Sequence, residues 1–261
     1  MLVKFCKYQG AGNDFIMIDN RHAGLQLTRR IIERWCHRKY GVGADGLILL
    51  GVSAEADFAM TYYNSDGGES TFCGNGGRCL VRFANHLGLT HDTCTFVAAD
   101  GLHHGRINRN GTVSISMQNV SAIHHVQNDY VLNTGSPHYV IFVKDVKNSP
   151  VKEKGREIRN SDAFAAAGIN VNFAEVTGDA TLYVRTYERG VEDETLSCGT
   201  GVVAAALAYA HRRREVKPPV TVETPGGTLQ VDFLQTASGY ENIFLTGPAV
   251  KVYEGAIMLD E

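Results

Sequence analysis

The sequence predicts a mixed α/β fold of two pseudo-symmetric lobes, each a curled, mainly antiparallel sheet around a central helix. The first observation is an internal repeat. Shifted by 125 positions, the chain matches itself without gaps, so that the segment at Cys73 falls on the segment at Cys198. The second observation is that each copy holds many short β-type runs but one strong central helical run. A period this long excludes a solenoid and indicates two copies of one lobe.

The repeat extends across most of both copies. Thr61 falls on Thr186, and the same offset holds from about residue 10 to residue 101 of the first copy. We therefore expect an N-terminal lobe over residues 1–118 and a C-terminal lobe over residues 119–249, related by a pseudo-twofold axis. The last segment, 250–261, lies outside the second copy and is expected to return to the first lobe.

In the first copy, apolar or alternating runs predict five strands. They are Phe15–Asp19, Leu47–Leu50, Phe58–Tyr63, Thr95–Ala98 and Val113–Met117. The central helix is predicted at Gly77–Leu87, where apolar side chains recur on one face. A second helix is predicted at Thr28–Lys39, with Thr28 as its N-cap.

The second copy repeats this pattern. Its predicted strands are Val140–Val143, Val171–Val176, Leu182–Tyr187, Val220–Glu223 and Thr228–Phe233. The central helix, Val202–Arg213, is apolar nearly all round and should therefore be buried. A further helix is predicted at Ser161–Ala167.

The composition limits the classes of partner and compartment. The net charge of −3 gives no basic surface for nucleic acid or an anionic membrane. No stretch approaches the roughly 18 apolar residues of a membrane span. The start of the chain lacks the apolar core of a signal peptide, so we expect a cytoplasmic protein whose six cysteines are reduced. Their spacing does not suit zinc, and no metal is expected.

The same motif, Cys-Gly-x-Gly, opens the central helix of both copies, at Cys73 and at Cys198. A cysteine at a helix N-terminus feels the positive end of the dipole and unpaired N–H groups, which lower the pKa of its thiol. The glycines leave the helix start bare, so that a ligand carboxylate can approach the backbone N–H groups. One such cysteine is as readily structural as functional, whereas two at equivalent positions favour function.

Two thiols around an anion site suit inversion of a carbon next to a carboxylate. One proton is removed from one face and another is delivered to the opposite face, and a thiolate with a thiol does this in either direction. The carbanion is a high-energy species, and helix N-termini aimed at its carboxylate supply the electrostatics that it needs. If the lobes face each other, the residues predict an enzyme that inverts a carbon next to a carboxylate.

The chain resembles the diaminopimelate epimerases at five motifs, which occur in the order of that family. They are Lys7–Phe15, Asn64–Gly67 leading to Cys73–Cys79, Gly135–His138, Asn170–Phe173, and Glu188–Gly190 leading to Cys198–Gly201. The resemblance spans nearly the whole chain. It implies the two-lobed fold of that family and the interconversion of LL- and meso-2,6-diaminopimelate, in the biosynthesis of lysine and peptidoglycan precursors.

The resemblance also implies a role for each matching residue. Cys73 and Cys198 would be the paired base and acid, and His138 and Glu188 would tune the two thiols. The substrate ligands would be Asn13, Asn64, Asn75, Asn170, Glu188 and Arg189, with the backbone of Gly74-Asn75 and Gly199-Thr200 holding the reacting carboxylate. Neither pyridoxal phosphate nor a metal is implied. The expected partner is a small molecule, diaminopimelate, and the sequence leaves a homodimer open.

Three places depart from the commoner pattern of the family. Ser136 stands where Asn is usual, and Gly46 stands where many members have Gln. The segment after Gly190 contains Glu192-Asp193 and is one residue longer before Thr195. These differences concern contacts with the distal end of the substrate and leave the cysteine chemistry unchanged.

Rival interpretations fit the sequence less well than an epimerase does. The stretch Gly41–Gly46 is a literal GxGxxG, but it follows a predicted helix and opens a strand, the reverse of a dinucleotide site. A thiol redox or metal protein would need cysteines in close pairs. The second Cys-Gly-x-Gly argues against a phenazine-pathway isomerase. A proline or hydroxyproline racemase-like isomerase of the same fold remains the alternative, although the Glu188–Gly190 motif argues against it.

Overall fold

The computed structural model describes residues 1–259, which form 17 strands and four helices. The chain divides into two compact units. The first contains Met1–Ile115 together with the segment from Gly247 onward, and the second contains Ser116–Thr246. The predicted mixed α/β class is confirmed.

The first unit is built on one twisted sheet. Its strands are β1 (Leu2–Gly10), β2 (Asn13–Asp19), β3 (Gly46–Gly51), β4 (Phe58–Asn64), β5 (Thr93–Ala98), β6 (Gly101–Ile107), β7 (Val113–Ser116) and β17 (Val250–Met258). They pair in the order β17-β1-β2-β3-β4-β5-β6-β7. The pairs β2–β3 and β4–β5 are parallel, and the others are antiparallel.

Strand β17 follows the second unit in the chain but belongs to the sheet of the first. It runs antiparallel to β1, from the pair Leu2 and Met258 to the pair Gln9 and Val250. The last two residues of the segment predicted to return, 260 and 261, lie outside the described residues.

The second unit repeats the arrangement. Its strands are β8 (Ile123–Val126), β9 (Asp129–Asn133), β10 (Pro137–Phe142), β11 (Asn170–Gly178), β12 (Thr181–Glu188), β13 (Asp193–Thr195), β14 (Val220–Thr224), β15 (Gly227–Thr236) and β16 (Gly239–Gly247). The order is β8-β9-β10-β11-β12-β14-β15-β16, and the short β13 also pairs with β12. The parallel pairs β10–β11 and β12–β14 recur at the positions of those in the first unit.

Four helices complete the described chain: α1 (Arg29–Cys36), α2 (Gly74–His86), α3 (Val151–Arg159) and α4 (Gly199–Arg212). Helix α2 packs against β1, β2, β3, β4, β6 and β17, and α4 packs against β9, β10, β11, β12, β14 and β15. Nearly every residue of α4 up to Ala210 is buried, as its apolar sequence predicts. Within residues 1–259, no helix has both the length and the apolar character to cross a membrane.

The predicted strands all occur, within a few residues of their predicted ends. Thr28 caps α1 as predicted, since its side chain accepts a hydrogen bond from the backbone N–H of Ile31. The helix predicted at Ser161–Ala167 is wrong. That stretch forms turns, and the helix of this region lies earlier, at Val151–Arg159.

Candidate active site

Cys73 and Cys198 occupy the same backbone position in their respective units. Each is the N-cap of the central helix, with φ and ψ of −115° and 115° at Cys73 and of −109° and 111° at Cys198. Neither side chain makes a capping hydrogen bond to its helix. The carbonyl of Cys73 accepts from the N–H of Gly77, and that of Cys198 from Val202. Each thiol therefore lies at the positive end of a helix dipole.

The second glycine of each motif is required by close packing. A Cβ at Gly76 would lie 2.7 Å from Cδ1 of Ile48, and one at Gly201 would lie 2.3 Å from Oδ1 of Asn172. Both helices thus begin against a neighbouring strand at a distance that excludes a side chain. This close approach fixes the first turn of each helix relative to the sheet of its own unit.

In the first unit, Asn13 joins Cys73 to the first turn of α2. The Cys73 thiol donates to Oδ1 of Asn13 across 3.7 Å, and Nδ2 of Asn75 donates to the same oxygen across 3.3 Å. Asn13 begins β2, and Asn75 is buried at the start of α2. The oxygen of the Asn13 carboxamide therefore points toward Cys73, and its nitrogen points away from Cys73.

Asp45 holds that nitrogen. Nδ2 of Asn13 donates to Oδ2 of Asp45 at 2.8 Å, and Arg38 donates to Oδ1 of Asp45 at 2.6 Å. Arg38 also donates to Asp14, which forms a 2.7 Å ion pair with the buried Lys7. Burial alone raises the pKa of Asp14, but the bonds from Arg38 and Lys7 take it well below its usual range. Connected ion pairs thus orient Asn13.

In the second unit, Thr200 stands between Cys198 and His138. Sγ of Cys198 and Oγ1 of Thr200 are 3.5 Å apart, and Oγ1 of Thr200 is 2.9 Å from Nε2 of His138. His138 is fully buried on β10. The hydroxyl therefore has a hydrogen-bond partner on each side.

Asn172 determines which nitrogen of His138 carries the proton. Its Nδ2 donates to the carbonyl of Tyr139 at 3.1 Å and lies 3.0 Å from Nδ1 of His138, while its Oδ1 accepts from the hydroxyl of Thr186. Because the carbonyl can only accept, the Asn172 atom is a donor, and Nδ1 accepts. The proton of the neutral ring then lies on Nε2, which donates to Thr200. A 3.5 Å contact from Asn170 to Nε2 is too long to reverse this choice.

His138 is neutral at physiological pH. Burial, helped by the positive charge of Arg189, lowers its pKa to about 3, although the bond with Asn172 opposes the shift. The imidazole is therefore a fixed hydrogen-bond donor to Thr200. The Thr200 hydroxyl can in turn point its own hydrogen at Sγ of Cys198.

Asn170 and Arg189 form a second polar group beside His138. Nδ2 of Asn170 donates to Oγ of Ser136 at 3.0 Å, and Oδ1 of Asn170 accepts from the backbone N–H of Arg189 at 2.9 Å. The Arg189 guanidinium donates to the carbonyl of Ala167 and reaches Oγ of Ser136 at 3.3 Å. The side chains of Ser136, Asn170 and Arg189 are therefore held together on adjacent chain segments.

A family model described as diaminopimelate epimerase matches residues 5–123 and 130–252, nearly the whole chain. The chain belongs to the diaminopimelate epimerase family. It is 50% identical over 259 residues to the diaminopimelate epimerase of Flavobacterium psychrophilum, with 98% of this chain and all of that protein covered. It is 42% identical to the diaminopimelate epimerase of Chlorobaculum tepidum, with 96% and 99% covered.

Solved structures of other proteins show the same fold. A phenazine biosynthesis protein of the PhzF family from Bacillus anthracis matches with a TM-score of 0.78 at 17% identity, covering 99% of this chain and all of that chain. A probable proline racemase from Agrobacterium radiobacter matches with a TM-score of 0.69 at 15% identity, covering 99% and 93%. At these identities the likeness concerns the fold alone.

Two residues that match the motifs of the diaminopimelate epimerases lie at strand ends. Asn64 ends β4 and is exposed. Glu188 ends β12, and its Oε2 accepts from the hydroxyl of Thr195 at 2.9 Å. By the 125-residue offset, Asn64 is equivalent to Arg189. Within residues 1–259, no group of three or more His, Cys, Asp or Glu side chains could hold a metal ion.

The sequence predicted no role for Asn172, Thr186, Asp45 or Arg38. Asn172 could have been found from strand alternation, since it lies two residues beyond Asn170 on β11 and side chains two apart share a face. Asp45 could have been found from the repeat, because it is equivalent to Asn170. The pairing of Arg38 with Asp45 has no comparable signal in one sequence.

Proposed function

We propose that this member of the diaminopimelate epimerase family interconverts LL- and meso-diaminopimelate with Cys73 and Cys198 as its acid and base. The reaction is an isomerisation at one amino-acid α-carbon. It would contribute to the biosynthesis of lysine and peptidoglycan precursors.

One observation carries the proposal: two cysteines cap two equivalent helices, with nearly identical backbone angles, and neither thiol is used to satisfy its helix. Cysteine is a poor N-cap compared with Ser, Thr, Asn or Asp. A cysteine at both positions therefore has no local structural advantage. A chemical role accounts for both cysteines at once.

We propose the following proton transfers. One cysteine, as a thiolate, takes the α-proton, and the other, as a thiol, delivers a proton to the opposite face of the carbon. In the reverse direction the two exchange roles. The N–H groups of Gly74-Asn75 and Gly199-Thr200 are proposed to hold the reacting carboxylate, where they would stabilise the negative charge that develops as the proton leaves.

The polar neighbours of each cysteine fit these roles. Thr200, which takes a hydrogen bond from neutral His138, can donate to Sγ of Cys198 and stabilise it as a thiolate. Asn13 accepts from Cys73 and so favours the thiol that delivers a proton. Glu188 is proposed as the second tuning residue, and Asn64, Asn170, Glu188 and Arg189 as ligands of the distal amino-acid end, which is a zwitterion.

The direct test is to incubate the purified protein with LL-diaminopimelate and to follow formation of the meso isomer by chiral chromatography. Activity is expected without added pyridoxal phosphate or metal, after dialysis against a chelator. L-Proline and trans-4-hydroxy-L-proline serve as controls for the racemase alternative. Turnover of proline without turnover of diaminopimelate would refute the proposal.

A second experiment tests the assignment of two acid–base groups. In heavy water, the thiol that delivers the proton has exchanged with solvent, so early meso product should contain deuterium at the α-carbon. Unreacted LL isomer should remain largely unlabelled, because return of the carbanion recaptures the original proton. A single base acting on both faces would carry original hydrogen into the product, and such retention would contradict the two-thiol assignment.

The surroundings of the enzyme are proposed as follows. Its partner is a small-molecule substrate, and neither nucleic acid nor a membrane is involved. A cytoplasmic location fits the need for two reduced cysteines. A homodimer is proposed through β17, which exposes the apolar side chains of Val252, Tyr253 and Met258. Analytical ultracentrifugation of the wild type and of Val252→Lys tests the assembly, and a monomeric wild type would refute it.

A further inference from the structure

Arg78 is a fully buried arginine in the first turns of α2. Its guanidinium donates to Oδ1 of Asn75 at 2.7 Å, to the carbonyl of Gly74 at 3.3 Å and to the carbonyl of Pro248 at 3.4 Å. Helical side chains point back toward the helix N-terminus, so this guanidinium lies beneath the turn that begins at Cys73. Two of its three acceptors belong to the Gly74-Asn75 pair.

The charge of Arg78 has no acidic counterpart. Among residues 1–259, no carboxylate lies within ion-pair distance of its guanidinium. Burial lowers the pKa of Arg78 to about 10, so the group remains protonated at neutral pH. A buried cation without a counter-ion is unfavourable, because its desolvation is not compensated by an opposite charge. An anion that binds near the start of α2 would offset this cost.

The other titratable groups around α2 do not supply that anion. The thiols of Cys73 and Cys79 are the ones that act on Arg78. Burial raises the pKa of Cys79 to about 12, so it stays neutral, and Cys73, whose thiol donates to Asn13, carries a proton whenever it is the acid of the proposed reaction. Tyr8, whose pKa burial also raises, contacts His86 at the far end of the helix. The carboxylates on and beside the neighbouring strands have other partners: Asp14 and Asp45 pair with Lys7 and Arg38 around Asn13, Asp19 pairs with Arg21, Asp100 bonds to His103, and Glu254 pairs with Lys251.

The second unit has no such cation at the matching position. The residue equivalent to Arg78 by the 125-residue offset is Val203, which is buried in α4. The starts of α2 and α4 therefore have the same backbone conformation but differ by one buried positive charge. Any effect of Arg78 on the reaction is specific to the Cys73 side.

We propose that Arg78 is a positioning residue that holds Asn75 in place and supplies positive potential at the start of α2, so that the reacting carboxylate of the substrate is its missing counter-ion. The proposal rests on the proposed function. Arg78 is buried and does not touch the substrate. It acts by polarising the Gly74-Asn75 segment and by fixing the Asn75 side chain that bonds Asn13.

The potential can be measured without turnover, by alkylation of Cys73. Iodoacetate is an anion and iodoacetamide is neutral, and the two react with thiolates by the same displacement. The ratio of the two rates at one cysteine therefore reports the local electrostatic potential. The accessibility of the thiol and its thiolate fraction affect both rates alike and drop out of the ratio. Quantitative mass spectrometry of the labelled peptides separates Cys73 from Cys198, which serves as the internal reference. In the wild type, the ratio should be higher at Cys73 than at Cys198.

Three substitutions of Arg78 separate the effect of its charge from the effect of its size and shape. Arg78→Gln and Arg78→Met remove the charge and should lower the iodoacetate to iodoacetamide ratio at Cys73 about tenfold, the size expected for loss of one nearby charge. Arg78→Lys keeps the charge and should retain most of the ratio. Cys198 should change less than about twofold in all three. Arg82→Met, which removes a more exposed cation one turn further along α2, is the matched control and should have little effect.

Kinetics give the second readout. Because charge develops on the carboxylate as the proton leaves, Arg78→Gln should lower kcat by about 10²-fold and change KM less. Melting curves identify any variant that does not fold, and the wild-type comparison of Cys73 with Cys198 needs no variant. An equal ratio at both cysteines of the wild type, or an unchanged ratio at Cys73 in folded Arg78→Gln, would overturn the proposal. The labelling result does not depend on whether diaminopimelate is the substrate, so the two proposals fail independently.

Discussion

The two cysteine sites share a backbone and differ in almost every polar group around it. Both begin with an N-cap cysteine, and both require glycine three residues later. The equivalent residues at the first and second sites are Asn13 and His138, Asn75 and Thr200, Asp45 and Asn170, and Arg78 and Val203. Ion pairs and a buried cation surround the first thiol, whereas the side chains that connect to the second thiol, Thr200, His138 and Asn172, are neutral and hydrogen-bonded.

The two copies of the repeat therefore share the backbone of the helix start, whereas the side chains around each thiol differ. A backbone N–H group binds a carboxylate whatever the neighbouring side chains are. The protonation of a thiol depends on those side chains. A pair of groups that alternates between acid and base needs one proton between them, and two unlike environments decide where that proton rests.

The largest expected effect comes from removing either thiol. Cys73→Ala and Cys198→Ala should each lower epimerisation of diaminopimelate by at least about 10²-fold, because each cysteine is assigned one proton transfer. Cys36→Ala, which removes a buried thiol from the core of the first unit, is the control and should leave the rate near that of the wild type. Initial rates of the three variants and of the wild type, measured by chiral chromatography, test this expectation. An active Cys198→Ala enzyme would show that the reaction does not need both cysteines.

The next effect concerns the second site alone. Asn172→Leu leaves Nδ1 of His138 and the hydroxyl of Thr186 buried without their partner. It should lower the rate about 10- to 100-fold and destabilise the fold by about 1–3 kcal/mol. Thr186→Val removes only the hydrogen bond from Thr186 to Asn172, so it should lower the rate and the stability less than Asn172→Leu does. Alkylation of Cys73 should be unchanged in both variants, and a change there would mean that the sites are not independent.

His138 predicts how stability depends on pH. Its folded-state pKa of about 3 lies below the ordinary value of 6.5, so the unfolded chain binds more protons between these values. Stability should fall as the pH drops from 6.5 toward 3, by at most about 1.4 kcal/mol per pH unit from this group. Melting temperatures from pH 6.5 to 4 should fall less steeply for His138→Gln than for the wild type. Exposed His91→Gln is the control, and parallel slopes for all three proteins would refute the assignment.

The smallest expected effect concerns the ion pairs of the first site. Asp45→Asn weakens the group that holds the Asn13 carboxamide and should lower the rate about threefold to tenfold, the value of roughly one hydrogen bond. Asp66→Asn is the matched control, because Asp66 pairs with Arg29 on the surface of the same unit. Steady-state rates at saturating substrate provide the comparison. Equal rates for the two variants would show that Asp45 does not orient Asn13.

The sequence predicted the features that repeat. Cys73 and Cys198 were placed at helix starts by their shared motif, and the strands were found from their apolar runs, because both signals are local. Other features depend on contacts between distant segments. The burial of Arg78 follows from the strands that surround α2, and an arginine in a helix otherwise predicts an exposed face.

The misplaced helix has a similar cause. Ser161–Ala167 is rich in alanine and begins with a good cap, so its local preferences favour a helix. The actual helix, Val151–Arg159, contains Gly155, a poor helix former. A Cβ at Gly155 would lie 2.4 Å from Cβ of Tyr187, so the glycine lets α3 pack directly on β12. Tertiary packing outweighs propensity here, and one sequence does not reveal that contact.

Strand β17 has a consequence for synthesis on the ribosome. The second unit is continuous in sequence, from Ser116 to Thr246, and all of its strands have been translated before β17 emerges. In the first unit, β1 can pair with β17 only after Val250–Met258 has been synthesised. Nascent chains would therefore carry an incomplete N-terminal sheet, with β1 as an open edge, while the later half is already able to fold. Chains that stall shortly before residue 250 should be the ones most in need of chaperones.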